Sequence, residues 1–343
     1  MGIRGAVRSL VVAGAVLCAS GSVVVAPAVA CACGGVVSGD GSARVDSETA
    51  VLGWDGRRET VLMRLGMRFA GGDAALIVPT PTPATVSTGS AAAFAELSRL
   101  TAPEVVTERH WFDSSDYESS GAAPGSGPEV LGRVQLGPLE ATTLRGGDLT
   151  GVREWLSANG YQLRPEVSAT LDPYLREGWS FVAMRLTSTD PLDGALDPVR
   201  LTFDSDRLVY PMRMSAAATT PQSVHLYVFG DQRLTRTDAD TESQSTITEF
   251  ASPVPALTDP DLVTLAAGKT YLTELSISIP RPATITTDFT FAVSPTDAPV
   301  RDRVVRKEYV ELLGFPAGYV LITVAAAILA VVGGALLRRR SAR

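Results

Sequence analysis

VLMRLGMRF, residues 61–69, is the stretch that decides the fold class. Apolar side chains occupy every second position in it, and Arg64 and Arg68 fall between them. A period of two is typical of a β-strand that buries one face and exposes the other. Gly71-Gly72-Asp73 is a turn signal, and a short apolar run at residues 74–78 follows it. We therefore predict a strand over residues 61–69 that forms a hairpin with residues 74–78.

The same alternation recurs along most of the chain. It predicts further strands over residues 130–136, 180–186, 199–203, 208–214, 224–228, 271–279 and 285–293, with Asp204-Ser205-Asp206 as the turn between the third and the fourth. Helices are predicted over residues 92–100, over 149–159 between Asp148 and Gly160, and over 173–177 after Asp172. Residues 113–129 and 235–260 are predicted to be loops. Together these elements indicate an α+β fold that is strand-rich and mainly antiparallel, with a few short helices.

The first 30 residues have the composition of a secretory signal peptide. Arg4 and Arg8 precede an uncharged apolar run, residues 10–30, which ends in small residues. Cleavage is expected after Ala30 or after Ala32, because each of them closes a small-x-small triplet. Since the apolar run is long, an uncleaved signal anchor is the alternative.

A second uncharged run, residues 314–337, lies near the C-terminus. As a helix it would be ~36 Å long, which is enough to cross the ~30 Å hydrocarbon core of a bilayer. Arg338, Arg339 and Arg340 follow it directly, and by the positive-inside rule they hold a basic tail, residues 338–343, in the cytoplasm. The alternative is a buried helix of a soluble domain.

These two runs divide the chain into an exterior region and an anchor. We predict a single-pass protein of the cell membrane with an extracellular N-terminal domain, residues 31–293, and a cytoplasmic C-terminus. Residues 294–313 would form a charged stalk that leads to the transmembrane helix. An interfacial aromatic belt is expected at the outer end of that helix, formed by Tyr309, Phe315 and Tyr319.

Charge is unevenly distributed along the chain. Six of the 30 basic residues flank the two apolar runs, which leaves 24 basic residues against 37 acidic residues in the region between them. A region this acidic repels phosphate groups. Nucleic acid is therefore not an expected partner.

Residues that commonly carry catalysis are scarce. The two histidines are His110 and His225. His225 lies in a strand pattern, where we expect a hydrogen-bonded or solvent-facing side chain. His110 lies beside Trp111 and Phe112, where we expect packing, with an aromatic surface site as the alternative. The sequence contains no G-x-S-x-G, P-loop, G-x-G-x-x-G or H-E-x-x-H motif, so we expect no catalytic residues, no cofactor and no metal site.

Acidic clusters are interpreted as turn and loop residues. Asp204 and Asp206 fit a turn, and the other clusters fit solvated loops, namely Asp190, Asp193, Asp197, Asp238, Asp240 and Glu242. None of them has the spacing of an EF-hand loop, so bound calcium is not expected. Paired carboxylates of the glycosidase kind have no fixed spacing, and a carboxylate-based hydrolase therefore stays open.

The cysteines mark a processing boundary, which consists of Ala30, Cys31, Ala32 and Cys33. A disulfide between Cys31 and Cys33 would close a small, strained ring that is easily reduced, so a redox role is one option. A lipid anchor at Cys31 is disfavoured, because such a site has a larger aliphatic residue three positions before the cysteine, where this chain has Ala28. Cys18 lies inside the signal run, and a four-ligand metal site needs more Cys and His residues than remain.

Several stretches, taken in order, resemble one bacterial family: Cys33-Gly34-Gly35, ALIVPTPT (75–82), LSANGYQL (156–163), WSFVAMRL (179–186), DPVRLTFDSDRLVYPMRMS (197–215) and the closing apolar helix with its arginines. It is domain-of-unknown-function family 2330, exported bacterial proteins that often carry a C-terminal anchor, and the likeness covers residues 33–293. The resemblance implies export and anchoring but no activity. It also implies a second cysteine shortly after Cys33, where this chain has Val36 and Val37 and no later cysteine.

The topology, the acidic exterior and the missing motifs indicate a non-enzymatic binding or interaction domain of the cell envelope. Its expected partners are the lipid bilayer, through the C-terminal helix, and an envelope protein or glycan. Two alternatives remain: a carboxylate-based envelope hydrolase, and a thiol–disulfide protein that uses Cys31 and Cys33.

Overall fold

A computed structural model describes residues 29–31, 34–38, 44–69, 72–112, 140–144, 149–158, 161, 165–188 and 192–341. The strands are β1 (Val29–Cys31), β2 (Gly34–Ser38), β3 (Arg44–Trp54), β4 (Arg58–Phe69), β5 (Gly72–Thr80), β6 (Thr85–Thr88), β7 (Glu104–His110), β8 (Glu140–Leu144), β9 (Ser180–Ser188), β10 (Leu192–Ala195), β11 (Val199–Asp204), β12 (Val209–Tyr210), β13 (Gln222–Gly230), β14 (Leu234–Arg236), β15 (Ser245–Pro253), β16 (Tyr271–Ile279), β17 (Phe289–Val293), β18 (Val300–Arg301), β19 (Arg303–Tyr309), β20 (Glu311–Leu312) and β21 (Phe315–Pro316). The helices are α1 (Ala91–Leu100), α2 (Leu149–Ala158), α3 (Pro165–Arg176), α4 (Pro260–Ala266) and α5 (Ala317–Ser341).

Most of these strands belong to two sheets. A nine-stranded sheet has the order β18-β15-β16-β13-β3-β4-β11-β6, with β10 also paired to β4, and a five-stranded sheet has the order β1-β2-β5-β9-β8. Among the described residues, the β13–β3 and β19–β7 pairings are parallel and the other ladders are antiparallel. The prediction of a strand-rich, mainly antiparallel α+β fold is confirmed.

The two sheets pack face to face around the main hydrophobic core. Alternate residues of β4 and β5 point into it, namely Val61, Met63, Leu65, Met67, Ala74, Leu76 and Val78. On the other face of β4, Arg68 is exposed and the Arg64 guanidinium lies 4.4 Å from the centre of the Phe94 ring. The half-buried strand predicted from VLMRLGMRF is therefore present, and each buried side chain contributes about 1.5–3 kcal/mol.

Helices cover the outer faces of both sheets. On the five-stranded sheet, α2 and α3 bury a set of apolar residues against the strands: Val152, Leu156, Val167 and Leu171 against Ile77 and Phe181. On the nine-stranded sheet, α1 and α4 do the same: Phe94, Leu97, Leu262 and Leu265 against Val51, Leu62 and Phe229. The resulting arrangement has four layers in the order helix, sheet, sheet, helix.

Two of the three predicted helices have the expected positions. They are α1, predicted over residues 92–100, and α2, predicted over 149–159. The helix predicted over residues 173–177 is instead the end of α3, and Asp172 lies inside that helix rather than at its N-cap. Proline fits the first turn of a helix because it has no N–H to leave unpaired, so Pro165 marks the true start.

The two predicted hairpins are wrong. β4 lies in the nine-stranded sheet and β5 in the five-stranded sheet, so they face each other across the core. β11 pairs with β4 and β6, whereas β12 pairs with β17. Alternation reports which face of a strand is buried, and it does not report which strand is its neighbour.

The loop predicted over residues 235–260 is also wrong, since it contains the end of β14, all of β15 and the start of α4. Its polar residues belong to an outer strand with exposed side chains and to a buried ion pair between Arg236 and Asp238. The strand predicted over residues 285–293 is shorter and begins at Phe289. The loop predicted over residues 113–129, the strand over 130–136 and the signal run up to residue 28 lie outside the described residues.

A two-stranded parallel ribbon, β7 with β19, leads to α5. At its tip, the Gly318 backbone N–H donates to the Trp111 carbonyl at 2.7 Å, and the Phe112 ring packs edge-on against Tyr319 with 5.5 Å between ring centres. Residues 317–340 form a helix that is long and apolar enough to span a membrane, and its most apolar 18-residue stretch has a mean hydropathy of 2.7. This is consistent with membrane anchoring. Exposed aromatic side chains surround the start of the helix: Trp111, Phe112, Tyr309, Phe315 and Tyr319.

Candidate functional site

The helix-covered face of the nine-stranded sheet carries two polar regions that α1 and α4 leave open. One is a groove over β3, β4, β11 and β6, with a volume of about 880 Å³. The other is a cluster of side chains on β13, β16 and β15. Most of their polar residues alternate with core residues along a strand, so the packing of the sandwich fixes the direction in which they point.

Hydroxyl groups line the floor of the groove. They belong to Thr60 on β4, Thr202 on β11, and Thr85 and Ser87 on β6. The hydroxyl oxygens of Thr60 and Thr202 lie 3.4 Å apart, within hydrogen-bond distance. Since β6 is the edge strand of the sheet, this side of the groove opens to solvent.

Arg200 supplies a positioned cation to the same groove. Its Nε donates to the Ser87 hydroxyl at 3.0 Å, and its guanidinium also bonds the carboxylate of Asp261 at the start of α4. Asp261 in turn accepts from the Ser90 backbone N–H at 2.7 Å, and the Ser90 hydroxyl donates to Asp259, the N-cap of α4, at 2.6 Å. The residues that begin the two helices therefore hold Arg200 in place.

The end of β3, at Gly53 and Trp54, and α4 form the opposite wall. The Trp54 indole N–H donates to the Ser205 carbonyl at 3.0 Å, which fixes the ring, and the half-buried side chain packs against the main core. Next to it, a Cβ at Gly53 would lie 1.9 Å from the Leu265 carbonyl oxygen. Only glycine lets α4 approach β3 this closely. At the rim, Arg58 and Asp204 form an exposed ion pair at 3.6 Å.

The second region is a histidine–glutamate cluster, formed by His225, Glu249 and Glu274. His225 Nε2 lies 2.7 Å from Glu274 Oε1, and His225 Nδ1 lies 4.0 Å from Glu249 Oε2. The pKa of Glu249 is raised, chiefly by burial and also by the charges of Glu274 and Asp302, although His225 opposes the shift. Burial and the charge of Glu274 likewise raise the pKa of Tyr227.

Sequence reasoning anticipated a hydrogen-bonded strand position for His225 but missed its partners, which lie on two other strands. The groove was missed as well. The available signal was the alternation of Arg200 and Thr202 with the core residues Val199, Leu201 and Phe203.

Two aspartates that were interpreted as solvated loop residues are buried. Asp238 forms a bidentate ion pair with Arg236, with N–O distances of 2.7 and 3.0 Å, and both side chains are 1% exposed. The Asp240 carboxylate accepts from the Thr286 and Thr287 backbone N–H groups at 2.8 and 2.9 Å. The solvated-loop interpretation is wrong for both. The Asp238 carboxylate neutralises a buried arginine, and the Asp240 carboxylate holds the backbone at residues 286–287.

Glu59 is a buried acid on the core side of β4. Its Oε2 accepts from the Val209 backbone N–H at 3.2 Å, and Oε1 has no hydrogen-bond partner within the described part of the chain. Complete burial raises the pKa of Glu59 well above its usual value of 4.5. Glu59 is therefore protonated in the folded protein at pH values where it is ionised in the unfolded chain.

This difference makes stability depend on pH. Above about pH 4.5 the folded state holds one more proton than the unfolded state, so the unfolding free energy falls as pH rises, by about 1.4 kcal/mol per pH unit until the folded pKa is reached. Glu59→Gln removes this loss. Urea denaturation of both proteins between about pH 5 and pH 8 measures this effect. The unfolding free energy of the variant should increase relative to that of the wild type as pH rises. A difference between the two that does not change with pH would contradict the prediction.

The structure describes only some of the residues predicted to form the processing boundary and the membrane stop. Ala30 and Cys31 lie in β1, where they pair with Gly35 and Gly34 of β2, and Ala32 and Cys33 lie outside the described residues. The cleavage site therefore stays a prediction, and the Cys31–Cys33 disulfide stays one option for the two cysteines. Arg338, Arg339 and Arg340 form the last turn of α5. His110 lies at the end of β7, its ring centre 6.1 Å from that of Tyr309 and its Nε2 3.5 Å from the Glu108 carboxylate.

Comparison with known proteins identifies the family. The model of a family described as an uncharacterized protein conserved in bacteria, DUF2330, matches residues 27–292. No curated protein matches significantly. Among solved structures, the crystal structure of baculovirus P35 aligns over 73% of this chain and 98% of its own, at 8% identity and a TM-score of 0.34, which is too low to support an argument about fold or function. Since the family model spans most of the chain, this protein belongs to the bacterial family DUF2330.

Proposed function

We propose that this protein is a membrane-anchored, non-enzymatic binding protein of the bacterial cell envelope, and that its groove holds a hydroxyl-rich ligand, namely an envelope glycan. The observation that carries the proposal is the groove between β6 and α4, with its floor of hydroxyl groups and its fixed arginine. The apolar C-terminal helix and the predicted signal peptide support an exterior location for this groove.

The lining of the groove favours a polar ligand. Small-molecule pockets of about 300–1,000 Å³ are common, but most are lined mainly by apolar side chains. Here threonine and serine hydroxyls offer both donors and acceptors, and charged groups lie at the rim. A sugar presents many hydroxyl groups, which these donors and acceptors can bond. A lipid would leave these polar groups unpaired, which costs free energy.

Arg200 is the residue that we expect to orient the ligand. Its guanidinium already bonds Ser87 and Asp261, so its remaining donors point in a fixed direction and little conformational entropy is lost on binding. Arg200→Gln keeps a hydrogen-bonding side chain but removes the charge and the fork geometry. We expect it to weaken glycan binding about tenfold, equivalent to about 1.4 kcal/mol.

The test is a microarray of bacterial envelope oligosaccharides, probed with the full chain in detergent micelles. We expect the wild type to bind a restricted set of oligosaccharides, and Arg200→Gln to bind the same set more weakly. Arg281→Ala, at an exposed position outside the groove, is the control and should equal the wild type. Absence of wild-type binding, or equal binding by Arg200→Gln, would count against the proposal.

A carboxylate-based hydrolase is the second candidate, because Glu249 and Glu274 have carboxylate oxygens within 4.8 Å of each other. Retaining glycosidases hold two carboxyl groups about 5–5.5 Å apart, one of them with a raised pKa. Glu249 has that property. Turnover of an array oligosaccharide by the wild type, lost in Glu249→Gln, would favour this candidate over the binding protein.

A further inference from the structure

The histidine–glutamate cluster brings together the side chains that bind transition metals. His225, Glu249 and Glu274 each offer one ligand atom, and these atoms all lie within 4.8 Å of one another. They come from three neighbouring strands, β13, β15 and β16, so the ladder hydrogen bonds hold their backbones at fixed separations. His225 and Glu249 are each about one quarter exposed, which gives a small ion access from solvent.

A β-bulge turns Glu249 towards this cluster. The register of β15 against β16 shifts between Thr248 and Phe250, which leaves Glu249 as the extra residue. Without the bulge, Glu249 and Phe250 would point to opposite faces of the sheet. With it, Phe250 packs under the helices while Glu249 also reaches the helix side, beside His225. Bulges that re-aim a side chain in this way are frequent next to functional sites.

Within the described part of the chain, lysine and arginine side chains do not balance the charges of the cluster. Across the described residues, neither Glu249 nor Glu274 has a lysine or arginine within 4.0 Å, and His225 is the basic residue that contacts each of them. The Glu274 side chain is 7% exposed, so its charge is poorly solvated. Buried carboxylates of this kind are normally paired with a cation or coordinate a metal.

We propose that His225, Glu249 and Glu274 bind one divalent transition-metal ion of the zinc class. One imidazole and two carboxylates suit such an ion and leave a fourth position for water, whereas calcium and magnesium prefer oxygen ligands throughout. Binding opens the hydrogen bond between His225 and Glu274, and its proton is released to solvent. The Tyr227 ring packs edge-on against the His225 ring, with 5.0 Å between ring centres, and helps to hold that imidazole in orientation.

The test is a titration of the full chain in detergent micelles with Zn²⁺ alone, read by competition with a chromogenic chelator. We expect one ion bound per chain. His225→Ala and Glu249→Gln should each weaken binding more than about 100-fold, since loss of a direct ligand exceeds the 10–100-fold effect of losing an outer partner. The matched control is His110→Ala, which removes the other histidine of the chain and should leave Zn²⁺ binding unchanged.

Two further readouts distinguish this site from a thiolate site and from a loss of folding. Co²⁺ in place of Zn²⁺ should give visible absorption without a thiolate charge-transfer band, which excludes Cys31 and Cys33 as ligands. Zn²⁺ should raise the melting temperature of the wild type and of Glu59→Gln but not of His225→Ala, which also checks that His225→Ala folds. Failure of the wild type to bind Zn²⁺, or full binding by His225→Ala, overturns the proposal. Glycan binding by His225→Ala should be unchanged, so failure of the metal-site proposal can be distinguished from failure of the glycan-binding proposal.

Discussion

Thr85→Trp is expected to lower the affinity of the groove for its oligosaccharide at least about 100-fold, or about 2.7 kcal/mol. Thr85 is exposed on the edge strand β6, and its side chain points into the groove beside Ser87. An indole at this position occupies space that the ligand needs. Tryptophan is also well tolerated in strands, so the substitution should leave the fold intact.

The matched control for this prediction lies on the same strand. Thr88 is also exposed on β6, but it is not among the residues that line the groove. Thr88→Trp should therefore bind like the wild type when both variants are titrated with an oligosaccharide identified on the array. Equal affinities for Thr85→Trp and the wild type would mean that the ligand binds elsewhere on the protein.

Asp238→Ala is expected to lower the unfolding free energy by about 3–5 kcal/mol, the usual cost of leaving one member of a buried ion pair without its partner. Arg236 is enclosed, because its guanidinium carbon lies 3.7 Å from the centre of the Phe289 ring and its remaining donors bond Gln244 and Thr246. These two bonds do not neutralise the charge that Asp238 balances.

Chemical denaturation of the full chain in detergent measures this effect, with two comparisons. Glu104→Ala breaks an exposed pair with Arg303, whose side chains are 52% and 71% exposed, and such pairs contribute at most about 1 kcal/mol. The double replacement Arg236→Met with Asp238→Leu should cost less than Asp238→Ala alone, because it removes both charges. If Asp238→Ala costs no more than Glu104→Ala, the pair does not stabilise the fold as described.

The sequence contains clear evidence for the elements and weak evidence for how they meet. Alternation in residues 61–69 and 74–78 identifies two strands correctly, yet the turn signal between them suggests a hairpin where the chain passes from one sheet to the other. The apolar helix near the C-terminus is evident from composition alone, because an uncharged apolar run as long as residues 314–337 is typical of a membrane-spanning helix. Family membership was recognisable from ordered short stretches, although none of them points to an activity.

The functional candidates were harder to predict for a physical reason. Arg200 and Thr202 lie on the polar face of a strand, and the sequence does not reveal whether such a face is covered by a helix, solvated, or the floor of a groove. Glu249 reaches His225 because of a bulge, and a bulge changes the face of a residue without changing the composition of the strand. Asp238 resembles a loop residue until Arg236, two positions earlier, is known to be buried with it.

The central claim, that the groove between β6 and α4 holds a glycan, is tested most directly by hydrogen–deuterium exchange. The full chain in detergent is compared with and without a saturating oligosaccharide from the array. We predict slower exchange in residues 82–88 and 200–204, which contribute to the groove. Exchange should be unchanged in residues 222–228 of β13, which carry His225 and do not line the groove. Protection confined to residues 222–228, or no protection at all, would contradict it.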